Sequence, residues 1–535
     1  MRSTTIRNKI PITKLYKQYI TQIIYKKHLT IIVILILILW IYTNLKEKES
    51  CYILSSSGLR YIPKINNDFK LSKDLYSKMT LIQKQTYLLR LYGFDSSNML
   101  ENVEQKEIIE KHIIKQLSKE RKSHFKNSNY KQLSSMSKKI QSAIKSLQNP
   151  YDCSKARYLV CKLNDMFCGF GCLIHHASYC LSISTGTGRT LIFENENLHV
   201  WGYNVRWNEL FEPITNCSYK KHIKPFLPLR NYNGTDKSNR ILFLGKSNDI
   251  LNNHNKRFKH APEVAPMEIK KFLLRYHSNP CLWFHGQLIK YIWRENKRTR
   301  NETNKIVSRI PNEAPVVGIH VRLTDKKQEA KLQKLQHYMK WVDFWFQVMI
   351  EDKKISSESR NKVFIATDHS ELKQLLKEAK NKYGNKYEIY HGKKFVQDRS
   401  REALIETLAI TRILANCQFV VCTLSSNACR IVYELMQAIK GEASGNLHTL
   451  DYFYGEYWFD NRMEATAKYS PISDYPWTPE EISAEKGDVI AVRSHIKHGF
   501  IRGENLRLKT YGLFPMYLLK EHSRFEKFKA FNKIK

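Results

Sequence analysis

The chain has 535 residues, of which 42% are hydrophobic and 26% charged, a length that exceeds one ordinary domain and can bury two or three cores. Its 88 basic and 50 acidic residues give a formal net charge of +38, which in many proteins indicates a nucleic-acid partner. Here the basic residues are scattered along the sequence, without a zinc-finger, RRM-like or arginine-rich signature. We therefore expect no nucleic-acid partner.

The first predicted element is a membrane anchor at residues 29–45, an uncharged apolar run at the short end of what spans a bilayer as a helix. Residues 1–28 contain basic but no acidic side chains, so we expect a cytoplasmic tail and a translocated body, a type II topology. A cleaved signal peptide is the alternative, but no Ala-x-Ala-like site follows the run. A short span suits the thinner membranes of the early secretory pathway, and we expect a lumenal body.

Residues 46–148 are predicted to form a polar linker and a helical stem that ends at Asn149-Pro150. The stem is rich in Lys, Gln, Glu and Ser and places apolar residues at helical spacing. Its heptads are imperfect, so a sustained coiled coil does not follow, and a two-helix hairpin that forms a homodimer is the alternative.

From residue 149 to 470, apolar runs alternate with helical patterns, which predicts a doubly wound α/β catalytic domain that binds ligands at strand carboxyl ends. The runs with the pattern of buried parallel strands are Thr190–Glu194, Ile241–Gly245, Val316–Val321, Val363–Asp368 and Phe419–Thr423. The helical patterns between them cover Leu335–Ile350, Glu371–Lys380, Leu404–Leu414 and Cys429–Ala438.

The strand at Val316–Val321 stops abruptly at polar and charged residues. Arg322 and Lys326 suit a phosphate, one as a planar fork and the other as a point charge. Asp325 and Glu329 provide acceptors or a base. This pattern indicates an anionic ligand.

A second strand, Phe419–Thr423, runs into small hydroxyl side chains and then a helical pattern. Ser425 and Ser426 would lie at a helix start, where free backbone N–H groups bind anions. Two strand ends of this kind can hold a pyrophosphate between them.

These two segments, together with Cys168-Gly169-Phe170-Gly171-Cys172-Leu173-Ile174-His175-His176, resemble the α1,6-fucosyltransferases of N-glycan cores, glycosyltransferase family 23. The resemblance covers about residues 145–520. It implies a glycosyltransferase-B variant fold and transfer of fucose from GDP-fucose to the 6-hydroxyl of the innermost N-acetylglucosamine of N-glycans on glycoproteins. The reaction would invert the anomeric carbon and need neither a metal nor a cofactor.

The resemblance also implies residue roles. The donor would be bound by Arg322 at the β-phosphate, by His320 at the guanine, and by a cradle of Gly169, Gly171, Cys172, Ser425 and Ser426. Glu329 would be the base, with Lys326 beside it and Arg322 as the third catalytic residue. Asp325 would orient Arg322 or Lys326, or cap the next helix. The acceptor-binding positions would be Asp325, Tyr338, Asp368 and Asp451.

Two positions depart from the family pattern. Leu323 stands where the family has a second arginine, which removes roughly 1.5–3 kcal/mol of charge-assisted interaction with the pyrophosphate. Ile410 stands where the family has an aspartate for the guanine edge, and Glu406, one helical turn earlier, is our candidate replacement. These changes leave two alternatives open: a catalytically impaired paralogue that binds glycan or a partner enzyme, and a transferase with an altered donor or acceptor.

The resemblance implies four disulfides among the eleven cysteines, pairing Cys153 with Cys217, Cys161 with Cys180, Cys168 with Cys172, and Cys422 with Cys429. Such bonds suit a lumenal protein. A zinc site formed by Cys168, Cys172, His175 and His176 is the alternative.

Residues 476–520 resemble an SH3 barrel, followed by a tail at 521–535. Ile496-Lys497 replaces the tryptophan that stacks on proline ligands, which argues against PxxP recognition. We expect this unit to support acceptor binding, the alternative being that it only caps the catalytic domain.

Overall fold

A computed structural model of the chain describes residues 51–55, 58–62, 128–163, 169–194, 205–218, 227–232, 240–245, 259–260, 264–311, 315–323, 330, 332–351, 355, 360–368, 372–392, 400–455, 462–471, 481–493 and 500–534. The chain divides into two compact units. In the smaller unit, strands β1 (Cys51–Ser55) and β2 (Gly58–Ile62) form an antiparallel hairpin. Everything below concerns the larger unit.

The helices of the larger unit are α1 (Ser128–Gln148), α2 (Phe170–Thr187), α3 (Lys270–Tyr276), α4 (Pro280–Ile292), α5 (Lys297–Val307), α6 (Leu335–Glu351), α7 (Leu372–Tyr383), α8 (Arg401–Asn416) and α9 (Asn427–Lys440). Its strands are β3 (Tyr158–Cys161), β4 (Thr190–Phe193), β5 (Leu227–Pro228), β6 (Ile241–Leu244), β7 (Val264–Pro266), β8 (Val316–Val321), β9 (Asn361–Thr367), β10 (Tyr387–His391), β11 (Phe419–Cys422), β12 (Leu447–Thr449), β13 (Arg462–Ala465), β14 (Val489–Val492), β15 (Phe500–Asn505), β16 (Thr510–Pro515), β17 (Leu519–Glu521) and β18 (Arg524–Glu526).

Two parallel sheets form the body. One has the order β4-β3-β6-β5 and the other the order β10-β9-β8-β11-β12. Strands β3, β8 and β11 are buried along their whole length, because most of their residues are apolar. Each predicted strand and each predicted helix of this region is present, with bounds that differ by a few residues. The mixed α/β architecture with parallel sheets is therefore confirmed.

Helix α1, in the region predicted to be the stem, packs into the same core as the sheets. Leu133, Ile140 and Ile144 are fully buried there. Gln148 reaches across to donate a hydrogen bond to Ser184 at 2.8 Å and to accept one from the backbone of Leu191 at 2.8 Å. The last helix before Asn149-Pro150 is thus part of the folded body.

A five-stranded antiparallel sheet, in the order β16-β15-β14-β13-β17, follows at the carboxyl end. It begins at Arg462, before the predicted boundary at 476, and ends at Glu521. After it, β18 returns to pair in parallel with β7 of the body. The SH3-like assignment of this sheet stays a prediction.

Three of the four predicted disulfides are present, joining Cys153 to Cys217, Cys161 to Cys180, and Cys422 to Cys429. Cys172 is disulfide-bonded as well, and its predicted partner Cys168 lies outside the described residues. Cys281 and Cys417 are not disulfide-bonded. The predicted membrane anchor also lies outside the described residues, and no helix within those residues is long and apolar enough to cross a membrane.

Candidate active site

The site lies where the order of the second sheet reverses. Strands β8 and β11 are neighbours, but the chain continues from β8 to β9 on one side and from β11 to β12 on the other. Open α/β sheets bind ligands at such a point, outside the carboxyl ends of the strands. The register places Val321 opposite Thr367 and Cys422 opposite Thr449, so the residues that follow all four strands meet at one edge.

Arg322, the first residue after β8, lies across this reversal point from the start of α9. Its Nη1 donates to Ser426 Oγ at 3.4 Å, and its Nε lies 3.5 Å from Asp368 Oδ2. About a quarter of the side chain stays exposed. Arg322 is therefore held in place by two partners from different strand ends while part of its guanidinium faces solvent.

Asp368 has a structural role that the sequence did not indicate. Besides pairing with Arg322, it accepts a hydrogen bond from the backbone N–H of Leu323 at 3.0 Å through Oδ1. Asp368 thus helps to orient Arg322, one of the roles predicted for Asp325, which lies outside the described residues. The Leu323 side chain packs on the hydrophobic core beneath the sheet.

Two helix starts converge beside Arg322. Helix α2 begins after Gly169, and helix α9 begins after Ser426. The helices approach so closely that a β-carbon on Gly171 would lie 3.0 Å from the backbone of Asn427. We call Arg322, Ser425, Ser426 and these two helix starts the cradle. It presents a guanidinium, hydroxyls and the positive ends of two helix dipoles, the groups that bind a phosphate.

Asp451, after β12, organises the other wall of the cradle. Its Oδ1 accepts from the backbone N–H of Ser425 at 3.3 Å and from Thr449 Oγ1 at 3.1 Å. Its Oδ2 is buried and has no hydrogen-bond partner within the described ranges. One carboxylate oxygen thus fixes the Ser425 turn, and the other is left to accept a hydrogen bond from a ligand.

His320 and Tyr338 lie beneath the strand ends. Burial lowers the pKa of His320 to about 4, so its ring is neutral at pH 7, and its Nδ1 has no partner among the residues described. Tyr338 is completely buried, and burial together with the charge of Asp451 raises its pKa. Its hydroxyl lies near Thr423 and the Arg322 backbone and has no hydrogen-bond partner among the described residues, and its acceptor-binding role stays a prediction.

Ile410 and Glu406 lie together on α8, beside the end of β10. A β-carbon on Gly392 would fall 2.6 Å from Ile410 Cδ1 and 3.8 Å from Glu406 Oε1. Ile410 is buried at 3% exposure, whereas Glu406 is partly exposed. The structure therefore places Glu406 beside the position of the missing family aspartate.

Two candidate ligands of the alternative zinc site already have other partners. Cys172 is disulfide-bonded, and His175 Nε2 lies 3.0 Å from Glu434 Oε2. No cluster of three or more His, Cys, Asp or Glu side chains with metal-binding geometry occurs in the part of the chain that the structure describes. The remaining predicted residues Asp325, Lys326 and Glu329 lie outside it.

Sequence reasoning missed a buried polar network behind the cradle. Arg430 and Glu434 of α9 are both completely buried, and Arg430 Nε donates to Leu424 O at 2.6 Å. The available signal was the charged pair in a predicted helix whose remaining residues suit a core, since buried charges need partners.

Fold and site together define a doubly wound α/β protein with an anion-binding cradle at its reversal point, an arrangement typical of nucleotide-binding proteins. A family model for alpha-(1,6)-fucosyltransferase N- and catalytic domains matches residues 65–455. The chain is 30% identical over 418 residues to an alpha-(1,6)-fucosyltransferase of Caenorhabditis elegans, covering 75% of this chain and 70% of that protein. It is 30% identical over 403 residues to one of Drosophila melanogaster, covering 73% and 61%. The chain belongs to the alpha-(1,6)-fucosyltransferase family and is a glycosyltransferase.

Two solved fucosyltransferase structures superpose in part. NodZ from Bradyrhizobium gives a TM-score of 0.31 at 15% identity, covering 52% of this chain and 92% of that chain. A mutant of Arabidopsis thaliana FUT1 in complex with GDP gives 0.35 at 13% identity, covering 60% and 77%. The family assignment rests on the sequence matches.

Proposed function

We propose that this protein transfers fucose from GDP-fucose, in α1,6 linkage and with inversion, to the innermost N-acetylglucosamine of N-glycans. We further propose a glycosyltransferase-B variant fold, an SH3-like carboxyl-terminal sheet and a type II position in the Golgi membrane. The proposal rests on the family and on one geometric observation, the placement of Arg322 against Ser426 at the reversal point.

The cradle suits the departing diphosphate. As the bond between the anomeric carbon and the β-phosphate oxygen breaks, its electron pair moves onto the phosphate. Arg322 and the helix starts of α2 and α9 lie where that charge develops and are held before the reaction begins. Because Leu323 contributes no second guanidinium, the helix dipoles and serine hydroxyls carry a larger share of this stabilisation.

The acceptor hydroxyl would be deprotonated by Glu329, with Lys326 close to it. The oxygen would attack the anomeric carbon from the face opposite GDP, which inverts its configuration, and the proton would pass to the Glu329 carboxylate. Among the proposed acceptor-binding residues, Asp451 Oδ2, buried beside Ser425, and the Tyr338 hydroxyl have no hydrogen-bond partner in the described part of the chain.

A second candidate is a glycan-binding paralogue without turnover. Two observations favour it: Leu323 packs on the core, and Ile410 is buried where the family has an aspartate. Neither side chain can form a hydrogen bond to the donor.

Calorimetry of GDP-fucose binding tests the proposal. The purified protein should bind, and Arg322→Ala should weaken binding about a hundredfold, the loss of a charge-assisted contact worth ~2.7 kcal/mol. The matched control is Arg298→Ala, which removes an exposed arginine of α5 that pairs only with Glu302 in the contacts seen. Equal binding by Arg322→Ala would place the donor elsewhere, and no binding at all would favour the paralogue.

A further inference from the structure

Glu434 lies at the centre of a buried network that joins three helices. Its carboxylate accepts from His175 of α2 at 3.0 Å, from His285 of α4 at 3.0 Å, and from the hydroxyl of Tyr454 at 2.7 Å. His285 is held on its other side, where Nε2 lies 2.9 Å from Ser178 Oγ. Burial alone would raise the pKa of Glu434, but the two histidines outweigh it and hold that pKa well below its usual range. The carboxylate is therefore ionised and fully satisfied.

Arg430, one turn nearer the start of α9, extends the network to the cradle. Its Nε donates to Leu424 O at 2.6 Å, within the turn that carries Ser425 and Ser426. The guanidinium also interacts favourably with Glu434 and Tyr454. The turn is thus hydrogen-bonded to Arg430, and the link from Arg430 to Glu434, one helical turn further along α9, is electrostatic.

The backbones approach closely at this level. A β-carbon on Gly286 of α4 would lie 2.4 Å from Glu434 O, and one on Gly171 of α2 would lie 3.0 Å from Asn427. Helix α9 is therefore in contact with α4 at its middle and with α2 at its start. A small shift of α9 would change the distance between the two helix starts of the cradle.

Buried ionic groups are weak contributors to stability, because removing them from water costs about as much as their attraction returns. A packed apolar core would hold three helices together equally well. What charged, directional contacts add is a defined position of one helix relative to another.

We propose that Glu434 and Arg430 are positioning residues that set the spacing of the two helix starts for the donor diphosphate. Neither touches the cradle opening, and each acts through groups that do. This inference rests on the proposed function, because the ligand it concerns is the GDP moiety of the donor.

The test compares GDP affinity with thermal stability in the full-length protein. Glu434→Gln keeps the shape and removes the charge, and should raise the Kd for GDP about tenfold. The control Asp488→Asn removes another buried carboxylate, which pairs with Arg507 in the carboxyl-terminal sheet. It should lower the Tm by a similar amount and leave the Kd for GDP within twofold.

Two outcomes overturn the inference and are distinct from failure of the proposed function. If Glu434→Gln has a lower Tm but a Kd for GDP within twofold of that of the unmutated protein, the network only stabilises the core. If Glu434→Gln does not fold, Tyr454→Phe takes its place, since it deletes one hydrogen bond to Glu434 and keeps the ring. Tyr454→Phe should raise the Kd for GDP about threefold, and an unchanged Kd would equally contradict the inference. Absence of GDP binding by the unmutated protein would overturn the proposed function and this inference with it.

Discussion

The residues proposed to bind the donor and those proposed to bind the acceptor are held in different ways. On the donor side, the cradle residues are held by contacts behind them, and Arg322 and the helix starts keep groups directed at the opening. On the acceptor side, the two carboxylate oxygens of Asp368 contact the Leu323 backbone and Arg322, and Tyr338 is completely buried. Asp451 Oδ2 and the Tyr338 hydroxyl are both buried and without a hydrogen-bond partner in the described ranges.

This difference shows that matching a residue type to a motif does not establish what its polar atoms are free to do. An acid at the end of a strand can bind a ligand or hold the neighbouring strand end. The contacts of Asp368 show that it has the second role, and its acceptor-binding role stays a prediction. We therefore expect acceptor recognition to depend on Asp451 and on the segment that carries Lys326 and Glu329.

The largest expected effect concerns that segment. Glu329→Gln should lower kcat by about a thousandfold, the middle of the range for loss of a general base, and leave the Kd for GDP-fucose within twofold. Steady-state transfer assays and calorimetry measure the two quantities. The control Glu378→Gln changes an exposed glutamate of α7 that pairs with Lys382. Unchanged kcat in Glu329→Gln would assign the base to another residue.

Glu521, the last residue of β17, should make the stability of the folded protein depend on pH. Burial raises its pKa to about 7, opposed by hydrogen bonds from Asn279 and from the backbone of Tyr454 and Gly455. Between pH 4.5 and 7 the folded protein keeps a proton that the unfolded chain releases. The contribution of Glu521 to the free energy of unfolding is therefore fully present below pH 4.5 and is lost as the pH rises through 7. The loss is on the order of 3 kcal/mol.

Thermal unfolding from pH 4.5 to 8 measures this loss. Glu521→Gln should remove that part of the pH dependence and have a higher Tm than the unmutated protein at pH 8. Glu504→Gln on β15 is the control and should keep the slope. The same slope in Glu521→Gln would mean that another group binds the proton.

The disulfide between Cys422 and Cys429 brackets the Ser425 turn at a sequence separation of 7. Replacing both cysteines by alanine should cost about 2–3 kcal/mol in loop entropy and weaken GDP binding severalfold, because the turn carries cradle groups. The control replaces Cys153 and Cys217, whose separation is 64, and should cost at least as much stability with no change in GDP affinity. Unfolding curves measure the change in stability, and calorimetry measures the change in GDP affinity. Equal GDP affinity in both double variants would argue that the turn is rigid without its disulfide.

The smallest expected effect tests Glu406 as the replacement for the missing guanine aspartate. Glu406→Ala should weaken GDP about tenfold, or ~1.4 kcal/mol, and reduce the preference for GDP over inosine diphosphate, which lacks the 2-amino donor. Glu402→Ala, one turn earlier on α8, is the matched control. If Glu406→Ala keeps that preference, the guanine edge is read by another group.

Much of this organisation could be predicted from the sequence. Strands such as Val316–Val321 are continuous apolar runs, and their polar ends marked both halves of the cradle. What could not be predicted are contacts between residues far apart in sequence. The pairing of Arg322 with Asp368 and of Glu434 with His175 depends on strand order and helix packing, which no local pattern encodes. The packing of α1 into the core was hidden for the same reason, since an amphipathic helix suits a stem equally well.

The most direct test of the central claim is transfer itself. The purified protein would be incubated with labelled GDP-fucose and an N-glycan acceptor, and the product analysed for the position and linkage of the label. We predict fucose in α1,6 linkage on the innermost N-acetylglucosamine, lost in Arg322→Ala. GDP-fucose binding without transfer to any N-glycan acceptor would contradict the account and favour a transferase with an altered acceptor or a paralogue without turnover.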